Sequence, residues 1–218
     1  MTLPSEPGAG TDGTREPRRN EVLQHVTALI GEHGIDGMTM RQVAHATGLS
    51  TGTINYHFGN KRGLVLAALA SAGEAPEGTV PGGSPLSRLR RLLASFVLDT
   101  QERRAWWQFW VEVAAQSARD EELRRHERAR QTAQRRHVEE LIEEGIRREE
   151  IRADVDAATA AEPLLALATG LAILQLTAPD EVTTRRASDT LEDAMRKIAT
   201  GEPLADPASE ARPANGNG

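Results

Sequence analysis

Six of seven consecutive positions, Thr51, Gly52, Thr53, Asn55, Tyr56 and His57, surround the aliphatic Ile54 with hydroxyl, amide, phenol and imidazole groups and one bare backbone. That is an odd surface for an ordinary packed helix. Short hydroxyls, an amide and ring donors suit base edges and phosphate oxygens, and a glycine lets backbone come close to a sugar-phosphate chain. Tyr56 is the only tyrosine of the chain, which fits a phenol on an exposed ring contacting phosphate. The chemistry is recognition rather than bond-making. No HExxH, phosphate loop or GxSxG occurs, and no set of nucleophile, base and orienting group can be assembled, so the chain does not read as an enzyme. The absence of cysteine excludes disulfides, thiolate metal sites and a thiol nucleophile. His126 and His137 share a helical face but lie about 16 Å apart, too far to hold one metal ion. No catalytic residue, metal or cofactor is therefore assigned.

The elements that must hold these groups are short. Thr39-Met40-Arg41-Gln42 is a capping box, in which Thr39 accepts from the backbone of Gln42 and the Gln42 side chain reaches back. A helix starts at Met40, with Met40, Val43 and Ala44 on one face, and Gly48 stops it by taking the left-handed backbone a tight turn needs. Leu49 points inward, Ser50 caps a second helix, and Ile54 anchors it. Two short helices crossing steeply around small and aliphatic contacts form a helix-turn-helix, which leaves the second free to enter a major groove. Arg41 of the first helix joins the candidate DNA contacts. Asn60 caps a further helix, 61–72, and places Lys61 in its first turn, where side chain and backbone N–H groups can share a phosphate.

The stretch Tyr56-His57-Phe58 followed by Gly59-Asn60-Lys61-Arg62-Gly63-Leu64 resembles the helix-turn-helix of the TetR family of bacterial transcriptional regulators. Helix order, turn glycine, aromatic run and lysine agree in register across 18–70. The wording STGTINYHFGNKRGL is similar to the BetI-type branch, whose best-known members respond to choline. The resemblance implies double-stranded DNA as a partner, a homodimer joined through its last two helices, and a small-molecule effector. It also makes Arg18 and Arg19, at the start of the first helix, candidates for phosphate contact, although a solvated basic helix start reads equally well.

The 218 residues, 39% hydrophobic and 27% charged, suit one or two globular domains. No uninterrupted apolar run approaches the roughly 20 residues of a membrane span, and the start lacks signal-peptide character, so a cytoplasmic protein with no membrane partner is expected. Net charge is −6, yet residues 15–72 carry six basic against four acidic side chains, so the basic surplus lies with the helix-turn-helix. That surplus is small, and affinity must lean on dimerisation and specific contacts.

An all-α chain in two domains is expected: the helix-turn-helix domain at 15–72 and an effector-binding and dimerisation domain at 84–200, separated by the Gly/Pro linker 73–83. Segments 1–14 and 201–218 read as disordered tails. The first helix begins near Pro17, carries Val22, Val26, Leu29 and Ile30 as a stripe, and ends at Gly34. Ser84-Pro85 opens a helix by N-cap and N1 rules. The stretch 120–149 is charge-dense with Leu123, Val138, Leu141, Ile142 and Ile146 as its apolar face. A helix from Asp154 or Asp156 to Thr177 is apolar nearly all round and needs cover on every side, for which a second copy is the simplest source. Pro163 bends it or marks a later start. A last helix spans 181–199.

Trp106, Trp107 and Trp110 are all the tryptophans of the chain. Trp106 and Trp110 stand one turn apart, with Trp107 beside them. They either line a pocket for a flat or cationic effector, with Glu112 adding charge complementarity, or fill the core of a domain poor in aromatics. The BetI-type resemblance implies an aromatic cage for a quaternary ammonium. The function so expected is a sequence-specific, ligand-relieved repressor binding an inverted repeat as a dimer; the alternative is an effectorless architectural DNA-binding protein.

Overall fold

The computed structural model describes residues 15–74 and 82–200. The expectations for 1–14, for 201–218 and for most of the 73–83 linker lie outside them. The described chain is helical throughout: α1 (Arg15–Gly37), α2 (Met40–Thr47), α3 (Thr51–Phe58), α4 (Lys61–Glu74), α5 (Pro85–Ala94), α6 (Gln101–Ser117), α7 (Glu121–Arg147), α8 (Ala157–Thr177) and α9 (Glu181–Ile198). The all-α expectation holds.

The starts are written in the sequence. Thr39, Ser50, Ser84, Thr100, Asp156 and Asp180 each accept a hydrogen bond from the backbone N–H three residues on, satisfying a donor that the helix itself leaves orphaned. α1 is interrupted rather than ended at Gly34, whose φ of 76° is a left-handed backbone. Pro163 lies inside α8, so the helix starts at Asp156 and continues through the proline.

The chain packs as two compact units. The first takes the described residues up to Glu74 together with Leu98–Ala133; the second takes the described residues from 82 to Val97 and from Gln134 to Thr200. A division at the linker alone would leave α6 with the later helices. In space α6 belongs to the first unit, because Phe109, Trp110 and Val113 share one buried cluster with Val22, Val26 and Ile30 of α1 and with Leu64 and Ala68 of α4. The approach of α1 to α6 is close enough to need a glycine: a Cβ on Gly31 would stand 2.8 Å from the Ala105 carbonyl oxygen. α7 contributes its residues up to Ala133 to this unit and the rest to the second.

The second unit buries Leu89, Leu92 and Leu93 of α5, Val138, Leu141 and Ile142 of α7, Ala161, Leu164, Ala168 and Ala172 of α8, and Ala187, Leu191 and Met195 of α9. Gln175, fully buried, donates to the Phe96 and Leu171 carbonyls at 3.0 Å. The end of α7 is tied to that of α9 by an antiparallel bridge between Ile151 and Ala199. α8 has 21 residues with a mean hydropathy of 1.6 in its most apolar window, of which 22% is buried, so by length and composition it could cross a membrane. The run is not uninterrupted, as the sequence reading has it, since Glu162, Pro163, Thr169 and Gln175 break it, but they do so without lowering its average much.

Candidate nucleic-acid interface and small-molecule recess

α2 and α3 are joined as the sequence predicts. The Thr39 N–H donates to Gln42 Oε1 at 2.7 Å and the Gln42 N–H to Thr39 Oγ1 at 3.2 Å, completing the capping box. Gly48 has φ 66°, and the Leu49 N–H reaches back to the Ala44 carbonyl at 3.2 Å. A non-glycine residue in that left-handed backbone costs roughly 1–2 kcal/mol. The Thr53 N–H donates to Ser50 Oγ at 3.0 Å, and the Thr53 hydroxyl meets the same oxygen at 2.8 Å.

α3 buries one residue, Ile54. Thr51, Gly52, Thr53, Asn55, Tyr56 and His57 are exposed, Tyr56 by 79%. Tyr56 and His57 meet edge to face with ring centroids 5.2 Å apart. Arg41 is also exposed and has no hydrogen bond or ion pair among the described residues. The Arg19 guanidinium lies 5.0 Å over the Phe58 ring at the end of α3, which brings the start of α1 beside α3. Lys61 is partly engaged: its ammonium donates to the Asp36 carbonyl at 2.8 Å, leaving other N–H bonds for an anion.

One interaction was not visible in sequence. Arg62, next to Lys61, donates to both oxygens of Asp120, at 2.7 and 3.0 Å, and to Glu122 Oε2 at 2.7 and 3.0 Å. Asp120 in turn accepts from the Glu122 and Leu123 N–H groups at the start of α7. These hydrogen bonds, led by that from Arg62, hold its carboxyl well below the usual carboxylate range. The start of α4 is thereby clasped to the start of α7.

A recess of about 220 Å³ opens farther along the same pair of helices, lined by Leu69 and Ala70 of α4, Trp110 of α6, and His126, Ala129, Arg130 and Ala133 of α7. Of the four residues proposed from sequence for an effector, Trp110 lines this recess and Trp106, Trp107 and Glu112 do not. Trp106 packs on Trp110 edge to face at 5.8 Å and on Phe109 at 6.2 Å, while Trp107 is buried at 9% exposure. Glu112 turns toward α1, accepting from the Ile35 N–H at 3.0 Å just beyond the Gly34 break, and from Gln116 Nε2 at 3.4 Å.

Glu112 thus serves α1 rather than the recess. Glu112→Ala is expected to cost the first unit roughly 1–3 kcal/mol, the penalty of leaving the Ile35 donor unmet, without changing binding of small molecules in the recess. Chemical denaturation with a parallel ligand titration checks this; a ligand effect with unchanged stability would return Glu112 to the effector site.

The Trp110 ring face carries the Arg130 guanidinium at 4.1 Å. Arg130 also donates to Glu127 through Nε at 2.9 Å and Nη2 at 2.7 Å, and Gln131 donates to Glu127 at 2.7 Å. Glu127 is buried, with 7% exposure.

Residues 24–68 match the family described as bacterial regulatory proteins, tetR family, and residues 85–200 match the family described as BetI-type transcriptional repressor, C-terminal. The HTH-type transcriptional regulator BetI of Burkholderia thailandensis is 31% identical over 119 residues, 52% of this chain and 61% of that protein. Its Burkholderia mallei counterpart is 30% identical over 122 residues, 53% of this chain and 63% of that protein. The match therefore spans less than two thirds of these curated relatives. A Rhodococcus crystal structure described as a TetR-family transcriptional regulator superposes with a TM-score of 0.74 at 26% identity, covering 85% of this chain and 100% of that one. A Saccharomonospora viridis protein described as a transcriptional regulator, solved in complex with choline, shares the fold with a TM-score of 0.71 at 23% identity over 86% of this chain and 100% of its own. With one family match running from within α1 into α4 and the other from α5 through the end of α9, the chain belongs to the TetR family of bacterial regulatory proteins and, through its C-terminal part, to the BetI-type repressors.

Proposed function

We propose that the chain is a sequence-specific DNA-binding repressor, acting in the cytoplasm, that reads an inverted-repeat operator as a homodimer and leaves it when a small molecule binds. The observation that carries this reading is α3: one buried anchor, Ile54, under a fringe of exposed hydrogen-bonding side chains on a capped, glycine-turned frame. Such a helix has its surface arranged for something outside the chain. Thr51, Asn55, Tyr56 and His57 would contact base edges and phosphates, with Gly52 permitting close backbone approach, Thr53 helping hold the cap, and Arg41 and Lys61 contacting the flanking backbone. Half-sites one helical turn apart would set the two copies of α3 about 34–36 Å apart.

The recess beside Trp110 is the effector site in this reading. An effector acts only if it binds the DNA-competent and DNA-incompetent arrangements unequally. α4 follows the reading helix directly and lines the recess with Leu69 and Ala70, so a ligand there bears on the element that sets α3.

Selection of binding sites from sheared genomic DNA at physiological salt tests the reading. Enrichment of a few inverted repeats is expected; flat recovery across the genome would replace it with the architectural reading, in which affinity depends on salt but hardly on sequence. On a selected operator, Tyr56→Phe is expected to weaken binding of the dimer by about 5- to 150-fold, the worth of one net hydrogen bond of roughly 0.5–1.5 kcal/mol in each of two half-sites, with no change in oligomeric state. Unchanged affinity in a fluorescence-anisotropy titration would remove the Tyr56 hydroxyl from the contacts.

A further inference from the structure

The last turn of α1 is a separate piece fastened by another helix. Gly34 takes a left-handed φ of 76°, and the turn beyond it closes through the Met38 N–H and the Gly34 carbonyl at 3.1 Å. A turn that starts afresh has N–H groups without acceptors of its own. The Ile35 N–H finds one on α6, in Glu112 Oε1 at 3.0 Å, so Glu112 caps this turn across 77 residues of sequence. Gln116, one turn farther along α6, ties both together: its Nε2 donates to Asp36 Oδ2 at 3.2 Å and to Glu112 Oε1 at 3.4 Å. The break and the carboxylate are fitted to each other, since a Cβ on Gly34 would stand 3.2 Å from Glu112 Oε1. Met38, fully buried, pins the far end of the turn.

What the turn presents is the Asp36 carbonyl, at a helix end where carbonyls lack donors within the helix and a cation is favoured. It accepts from the Lys61 ammonium at 2.8 Å. A lysine side chain otherwise spreads over many rotamers and loses that freedom when it binds. Held at Asp36, the ammonium is already placed and has two further N–H bonds to give. Its neighbour Arg62 is engaged by Asp120 and Glu122. Lys61 is thus the cation that the start of α4 can offer to a phosphate.

We propose that Glu112 and Gln116 are positioning residues for the contact of Lys61 with the DNA backbone: they hold the 35–38 turn, and the turn holds the ammonium. This rests on the reading of Lys61 as a phosphate contact and adds what places it. Two residues of α6 that touch no DNA thereby set how much ordering that contact requires.

A double-mutant cycle on a selected operator tests it. Glu112→Ala is expected to weaken binding by about threefold in each half-site, hence about tenfold for the dimer, as part of the rotamer freedom of Lys61 returns. Lys61→Met is expected to weaken it further, and to lower the slope of log affinity against log salt by about 1.8, roughly 0.9 for the phosphate lost in each half-site. In the Lys61→Met background, Glu112→Ala is expected to cost no more than about twofold, because the group it positions is gone. Glu112→Gln keeps an oxygen for the Ile35 N–H and is expected to bind within about twofold of the native chain. No loss in the native background, the same loss in both backgrounds, or a Glu112→Gln as weak as Glu112→Ala overturns the proposal. Should Glu112→Ala not fold, Gln116→Ala takes its place in the cycle: a smaller loss that vanishes with Lys61→Met is expected, and a loss indifferent to Lys61 overturns it. A second readout needs no operator. The chain has two lysines, Lys61 and Lys197, so labelling with 15N-lysine gives two side-chain resonances. Glu112→Ala, or Gln116→Ala in its stead, must move that of Lys61 and leave that of Lys197, and an unmoved Lys61 overturns the proposal. The regulator reading fails separately, in the operator selection, and leaves the lysine resonances to decide whether α6 places the ammonium.

Discussion

Truncating Ile54 to alanine is expected to abolish operator recognition at physiological salt and to lower the stability of the first unit by roughly 2–4 kcal/mol, as large-to-small changes in a packed core do. Ile54 has 0% exposure and is the single buried residue of α3. An eight-residue helix is too short to hold its shape alone in water; its place is set by this anchor, by Ser50 at one end, and by Phe58 and Gly59 at the other. Removing the anchor frees every DNA-facing side chain at once. A base left unread costs about 1–3 kcal/mol, and a symmetric reader bears that cost in both half-sites. Substitution at any one exposed position of α3 should be milder, because it removes a single hydrogen-bonding group and leaves the frame. Gly48→Val reaches the same end through the backbone, since nothing lies within 4 Å of an added Cβ and the penalty is the left-handed φ of 66° rather than a clash. Denaturation curves and anisotropy titrations on a selected operator check the anchor. Affinity within about threefold of the native chain, a difference under roughly 1 kcal/mol, would mean that α3 is placed by its ends alone.

The placement of α3 was legible because its determinants are local. Thr39 with Gln42, Gly48, Ser50 with Thr53, and Asn60 with the Gly63 N–H at 3.0 Å each act within three or four residues, and turn and capping chemistry acts on that scale. The same holds for the helix starts at Ser84, Asp156 and Asp180. The membership of α6 was not legible. Its aromatic content announces burial but not the partner, and the partner is α1, far earlier in the chain, reached where Gly31 and Ala105 let two backbones close.

The residues expected from sequence at an effector site divide along the same line. Trp110, which lines the recess, stands out in sequence because tryptophan is rare here and large, while its neighbours in the recess carry no mark of their own. Arg130 and Glu127 look like one more i,i+3 pair on a helix full of them. Only the tertiary fold sets that pair over an indole. Glu112 lies away from the recess for the complementary reason: a carboxylate two residues from a tryptophan points to another side of the helix, here toward the Ile35 N–H. Arg62 was passed over because its partners lie 58 and 60 residues away.

Leu174→Glu is expected to convert the proposed dimer to a monomer, with the mass by light scattering half that of the native protein and operator affinity falling by about 100-fold or more as the two half-sites cease to bind together. α8 presents Pro163, Ala166, Gly170, Ile173 and Leu174 outward at spacings of three and four, a single stripe, with Ile173 43% and Leu174 57% exposed. Val182 on α9 is exposed by 56%. An apolar stripe of this kind is unfavourable in water and calls for a cover. In its middle, a Cβ on Gly170 would meet nothing within 4 Å, so the small residue answers no need inside the chain and leaves room for a helix from outside. A second copy of α8 fits, since two-fold symmetry would set stripe against stripe and small residue against small residue. Glutamate at 174 would then bury two unpaired carboxylates per dimer, each costing several kcal/mol. Gly170→Leu separates the alternative covers without adding charge: it should weaken a close helix pair, yet strengthen insertion of the same face into lipid. A native protein that is monomeric in solution and floats with vesicles, more so with Gly170→Leu, would assign the stripe to a membrane and remove the basis for a symmetric operator.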